Sequence, residues 1–156
     1  MASGVLSETI LIIASVIAAA ALAVTVMGQM SVFESAFSAS TENQKEITLT
    51  KIKVIYVTNS TSSMATAWVK NIGMKPIDQP NSVDVYFGKL GSVQRIPYNT
   101  GIVPTWNYSS PTILWQTKDT AQINIYYDTD FLKNAPYVIK VITPNGISDD
   151  SIFSTS

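Results

Sequence analysis

From Val5 to Met30 the chain reads VLSETILIIASVIAAAALAVTVMGQM, and after Glu8 no side chain carries a charge until Glu34. At a rise of about 1.5 Å per residue such a run is long enough to cross a hydrocarbon layer of roughly 30 Å as one helix. A secretory signal peptide is shorter in its apolar core and opens on a basic region. Here the opening is Met-Ala-Ser-Gly, with no lysine or arginine before Lys45. The sequence therefore predicts an uncleaved, single-pass N-terminal anchor, residues 1–37, because Met30, Phe33 and Phe37 extend the helical spacing beyond the apolar run. The apolar rhythm stops at SASTENQ, which predicts a linker over 38–45, and residues 46–156 form a separate domain.

Beyond the linker the period changes from helical to two. The run ITLTKIKVIYVTN predicts a first strand, with Ile52, Val54 and Tyr56 on one face and Lys53, Ile55 and Val57 on the other. Further strands are expected at MATAWVKN, VDVYFG, SVQRIPYN, TILWQT, TAQINIYYD, APYVIKVIT and ISDDSIF, with a hairpin at Lys118-Asp119 and turns at Ile72-Gly73 and Asn145-Gly146. Pro97 marks SVQRIPYN as an edge strand, which leaves the opposite edge open for contacts. Seven or eight short strands without helical crossovers predict an all-β, antiparallel, immunoglobulin-like sandwich following a transmembrane α-helix.

Charge and composition narrow what the domain does. Charged residues make up 13% of the chain, about half the roughly 25% usual in soluble domains. Hydroxyl and amide side chains do not titrate where Asp and Glu do, so a Ser/Thr-rich surface suits an exterior, even acidic, medium. The triplets Asn59-Ser60-Thr61 and Asn107-Tyr108-Ser109 are N-glycosylation acceptors and point to the same side, C-terminal domain outside. The chain has no cysteine and no histidine, which removes the thiol nucleophile, the common general base and the usual zinc ligands. Asp128, Asp130, Asp149, Asp150 and Asp84 form no calcium-loop pattern, and the sequence predicts no catalytic residue, cofactor or metal.

Three tryptophans remain. Trp68 and Trp115 lie in strand patterns and are expected to fill the core. Trp106 falls in a loop-like stretch with Tyr98 and Tyr108, and these three are expected to form a partner-contact loop. Ala14 with Ala18, and Ala19 with Ala23, place small residues four apart on the anchor, a spacing that lets membrane helices pack closely and predicts a homo-oligomer.

The run ASGVLSETILIIASVIAAAALAVTVMG and the segment AWVKNIGMKPI, a strand, an Asn-x-Gly turn and a proline, resemble the archaeal archaellin and type IV pilin-like group. Within it the likeness is to the accessory archaellum stator families FlaG and FlaF, FlaG more closely. Archaellins and pilins are cut after a glycine preceded by basic residues, whereas Gly4 follows Ser3, so the helix is expected to stay unprocessed. The resemblance implies a structural, non-enzymatic part of the archaellum motor, anchored in the membrane with its sandwich in the pseudoperiplasm. It implies as partners a FlaF-like stator protein and, through it, the S-layer, with no nucleic acid and no small-molecule substrate. The alternative it implies is a filament subunit, an archaellin or minor pilin.

Overall fold

In the computed structural model residues 2–110 and 114–155 are described, residues 2–5 by their backbone alone. The chain divides into two compact units, residues 1–44 and 45–156. Helix α1 spans Ala2–Leu49, and from Leu6 onward it is long and apolar enough to cross a membrane. The expected linker, 38–45, is helical instead. No proline or glycine lies between Gly28 and Gly73 to break it, and polar side chains alone do not end a helix. The hydroxyls that could compete with the helix turn back into it: Ser35 donates to the Val32 carbonyl at 2.8 Å and Thr41 to that of Phe37 at 2.9 Å. Ser15 and Thr25 do the same to Ile12 and Ala21 within the apolar stretch, so no free hydroxyl is left there to be desolvated.

The second unit holds two four-stranded antiparallel sheets. The first is ordered β1-β2-β6-β5, built from Ile52–Asn59, Met64–Asn71, Thr120–Tyr126 and Thr105–Tyr108. The second is β4-β3-β7-β8, from Ser92–Ile96, Asp84–Lys89, Pro136–Ile142 and Ser148–Ser154. Val57, Val69, Ile123 and Ile125 face Val85, Phe87, Ile139 and Val141 across the core, all buried. At one part of that core Phe87 gathers the rings of Tyr127, Phe131, Tyr137 and Phe153 at centroid distances of 5.5 to 6.1 Å, within the range where edge and offset contacts are favourable. The expected antiparallel, immunoglobulin-like sandwich after a long apolar helix is the fold observed.

Three strand expectations are corrected. The first strand starts at Ile52 because residues 47–49 belong to the helix. A bulge between Val54 and Tyr56 shifts its parity, so Ile52, Val54 and Val57 point inward while Tyr56 points out, 59% exposed. The described residues of TILWQT, 114–117, form no hairpin with β6, whose partners are β2 and β5. Thr112 and Ile113 lie outside the described residues, and Trp115 makes an isolated bridge with Ile77. The missing strand is β5, TWNY, in the stretch expected to be a loop.

Candidate assembly surfaces

The helix end is held by a polar collar belonging to the second unit. Carbonyls in the last turn of a helix have no partner within it and need one from elsewhere. Met74 N–H donates to the Leu49 carbonyl at 2.8 Å and Ile72 N–H to that of Lys51 at 2.8 Å. The Glu46 carbonyl accepts from Thr50 Oγ1 at 2.8 Å and from Asn145 Nδ2 at 3.3 Å, and the same Asn145 amide reaches Thr50 Oγ1 at 2.7 Å. Only glycine fits at 73, since a Cβ there would stand 2.5 Å from the Leu49 oxygen and 2.6 Å from the Lys51 nitrogen. An ion pair of 2.8 Å joins Lys75 to Glu46 at the rim. The hydrogen bond and positive charge of Lys75 hold the Glu46 carboxyl below its ordinary range; being exposed, the pair adds little to stability.

Asn71 organises this collar. Fully buried, it donates Nδ2 to the carbonyls of Lys75 and Trp115 at 2.9 and 3.2 Å and accepts the Gly73 N–H on Oδ1 at 3.0 Å. Its backbone is bonded too, N–H to Asp119 and carbonyl to Lys118. Thus the Asn-x-Gly segment singled out in the sequence is the clasp that binds the helix end, 72–77 and 115–119 into one body.

Two of the sheet edges are occupied. At one, Asp149 of β8 takes the Val54 N–H of β1 on Oδ2 at 2.7 Å and Lys53 Nζ on Oδ1 at 3.1 Å. At the other, Trp106 N–H of β5 donates to the Pro97 carbonyl at 3.0 Å and Asn99 N–H returns to the Trp106 carbonyl at 2.8 Å. An unpaired sheet edge is a template for adding strands, and an inserted carboxylate or a cross-sheet bridge removes that template. Pro97 therefore closes the β5 edge by accepting a bond, and the β1 edge is occupied as well. Ser92–Arg95 of β4 stay exposed.

The expected contact loop is not one. Trp106 is 1% and Tyr108 7% exposed, both on the inward face of β5. Tyr98 is half-buried and packs on Trp106 at 4.7 Å, and Trp106 meets Tyr108 edge-on at 5.1 Å. Aromatic payload of this size goes to the core when a strand is available to carry it. Trp68, expected inside, is half-buried on the outward face and lies 5.6 Å from Tyr56; Trp115 is in the core as expected. Asn59 is half-buried at the end of β1, and Asn107 is half-buried on β5, on the opposite face from Trp106 and Tyr108, so a glycan there would not shield them. Ala14, Ala18, Ala19 and Ala23 lie on exposed helix surface, and Phe33 stacks on Phe37 at 6.3 Å. Among the described residues no three carboxylates converge as metal ligands would.

Burial lifts the Tyr108 hydroxyl well above the usual phenol range, helped by Tyr98; it donates to the Pro80 carbonyl at 2.8 Å. Because the folded value is the higher one, this contribution is intact below pH about 10 and is lost as pH rises above it. The denaturation midpoint of 45–156 should fall more between pH 8 and pH 11.5 in the parent than in Tyr108→Phe. Equal falls in both would refute a buried phenol.

The archaeal-type flagellin family matches the chain over residues 2–152. No curated protein matches it. Among solved structures, the archaellum periplasmic stator protein FlaG from Sulfolobus acidocaldarius is 32% identical, with a TM-score of 0.64 over 67% of this chain and 100% of that one. The FlaF and FlaG stator complex of the same organism matches at 32% identity and TM-score 0.63, over 67% of this chain and 90% of that one. The archaeal flagellum of Methanospirillum hungatei matches in fold at 15% identity, TM-score 0.77, over 97% of this chain and 93% of that one. These relatives are structural archaellum proteins. The chain thus belongs to the archaeal-type flagellin family and is a FlaG-like structural component of the archaellum.

Proposed function

We propose that the chain is the FlaG-type stator component of its archaellum, anchored in the membrane by α1 with the sandwich on the outer side. It binds a FlaF-like protein and, through it, the S-layer, while copies associate through the small-residue faces at Ala14, Ala18, Ala19 and Ala23. The observation that carries this is the match to a solved FlaG along its whole length at 32% identity, joined to the existence of a complex of that protein with FlaF. The non-enzymatic composition fits: a stator resists torque through repeated contacts and needs no turnover. The occupied β1 and β5 edges direct those contacts to the faces of the sheets, to the helix and to the exposed edge strand β4.

In a strain lacking the protein, swimming should be lost while filaments remain on the cell, and the purified sandwich should retain the FlaF-like protein of the same organism. Normal swimming in that strain would exclude a motor role.

A second reading, a filament subunit, draws on the family match from residue 2 and the fold likeness to a flagellum along nearly the whole chain. It requires the protein, shortened at Gly4, in sheared filaments, and filaments lost on deletion.

A further inference from the structure

We propose that Asn145 is a site of spontaneous deamidation whose rate is set by its grip on the end of α1. The amide survives while it holds the helix and is converted when that hold opens. Asn145-Gly146 is the one Asn-Gly dipeptide in the chain. Glycine is the neighbour most open to ring closure, because it brings no side chain to hinder the approach of its nitrogen to the asparagine amide. The step is internal. Gly146 N bonds to Asn145 Cγ, the Cγ–Nδ2 bond breaks, the Gly146 amide proton leaves with Nδ2 as ammonia, and a succinimide ring remains. A solvent water then opens either ring carbonyl. The product is aspartate at 145 or isoaspartate, in which the main chain runs through Cβ and Cγ and is longer by an atom.

The folded turn withholds both reacting groups. Gly146 N–H donates to the Thr143 carbonyl at 2.8 Å and Thr143 N–H to the Ile147 carbonyl at 2.8 Å, with Gly146 at φ +84°. That is a turn followed by a left-handed residue, the place where glycine sits without strain. The nucleophile is therefore already bonded through its proton. The electrophile is held on both sides. Asn145 Nδ2 donates one proton to the Glu46 carbonyl at 3.3 Å and the other to Thr50 Oγ1 at 2.7 Å, and Oδ1 accepts from Thr143 Oγ1 at 2.6 Å. Because Nδ2 is the leaving group, ring closure must break its bonds to the helix end. Conversion therefore waits on a local opening of that junction.

Once made, the change removes what held the helix. An ionised aspartate has no N–H to offer, and at 145 it sets an acceptor against the Glu46 carbonyl, which now receives a proton from the amide. Isoaspartate lengthens the same turn and disturbs the bond between Gly146 and Thr143 that closes it. Asn145 is half-buried and Gly146 exposed, so water reaches the ring. An opening of the helix end that lasts long enough is thereby recorded covalently, and each conversion makes the next opening easier to sustain.

The full-length protein is held in detergent in mildly alkaline buffer beside a synthetic peptide of residues 141–156. Cleavage after Lys140 releases the same segment from the protein, and Asn145 is its only amide side chain, so acid gained there reports on this residue alone. Conversion in the parent should be about tenfold slower than in the peptide, the protection expected if opening gives up the two bonds to the helix end. Thr50→Val removes the nearer acceptor and should bring the rate most of the way to that of the peptide. Thr50→Ser keeps the hydroxyl and should stay at the parental rate. Amide exchange in β3 and β7 checks that the variants are folded. A parent as fast as the peptide overturns the gating, a result that stands even where Thr50→Val does not fold. Folded Thr50→Val converting no faster than the parent overturns it too, and no acid at Asn145 in either overturns the site itself. Release is read from Asn145→Asp. The Thr50 amide, which donates to the Glu46 carbonyl at 3.0 Å, should exchange about tenfold faster there than in the parent, and an unchanged rate overturns the release.

Discussion

Trp106→Ala is expected to destabilise the 45–156 unit by about 3–5 kcal/mol, the range found when a large buried aromatic is truncated and its cavity does not collapse. The ring is 1% exposed and touches Tyr98 at 4.7 Å and Tyr108 at 5.1 Å, so neighbours on both sides lose contacts with it. It also sits on β5, where its backbone bridges to Pro97 and Asn99, so a loosened ring disturbs the closure of that flank. Against a total stability of about 5–15 kcal/mol the loss is large enough to leave part of the chain unfolded at growth temperature. Denaturant unfolding of the purified unit measures it. A change below 1 kcal/mol, with weakened binding to the FlaF-like protein, would restore Trp106 to the surface position that the sequence suggests.

Asn71→Ala should cost a similar amount, about 3–5 kcal/mol, for a different reason. Removing the amide takes one hydrogen bond each from the Lys75 carbonyl and the Gly73 N–H, both half-buried, at about 1–3 kcal/mol apiece, and leaves the Trp115 carbonyl with the Ile77 N–H alone. Asn71→Asp keeps Oδ1 for Gly73 but sets an acceptor against two carbonyls in a fully buried site, and is expected to be at least as damaging. Hydrogen exchange discriminates this from generic loosening. The amides of Ile72 and Met74, which donate to Lys51 and Leu49, should lose protection well before those of β3 and β7. Uniform loss across both sheets would show that Asn71 serves the whole core and no local clasp.

The fold was legible where period and composition agree. The long apolar helix announces itself by length and lack of charge, and β2, β3, β6 and β7 are read directly from alternation or apolar runs. What the sequence hides is parity and context. The bulge before Tyr56 turns an outward ring into an apparent inward one, because alternation is counted from a fixed start. For Trp68 the signal was present: Ala65, Ala67 and Val69 already occupy the inward positions of β2 and leave the ring outside. Trp106 had no such signal, since four residues between Pro104 and Ser109 are too few to show a period. Polarity alone does not show that 38–45 is helical: without Gly or Pro from 29 to 49 nothing there stops a helix, although the boundary between the two units, after Gln44, falls within that stretch. The Asn-x-Gly turn was visible as a turn, but its grip on the helix end depends on residues far along the chain, at 115–119 and Asn145, which no local pattern links.

The occupied β1 and β5 edges matter under crowding. A domain tethered to a membrane patch beside its own copies meets them at effective concentrations in the millimolar range, where an exposed strand edge recruits further strands into cross-β stacks. With Asp149 plugging β1 and Pro97 bridging to β5, close neighbours find no template at those two edges. Strand addition to this archaellum component is thereby confined to the exposed edge of β4.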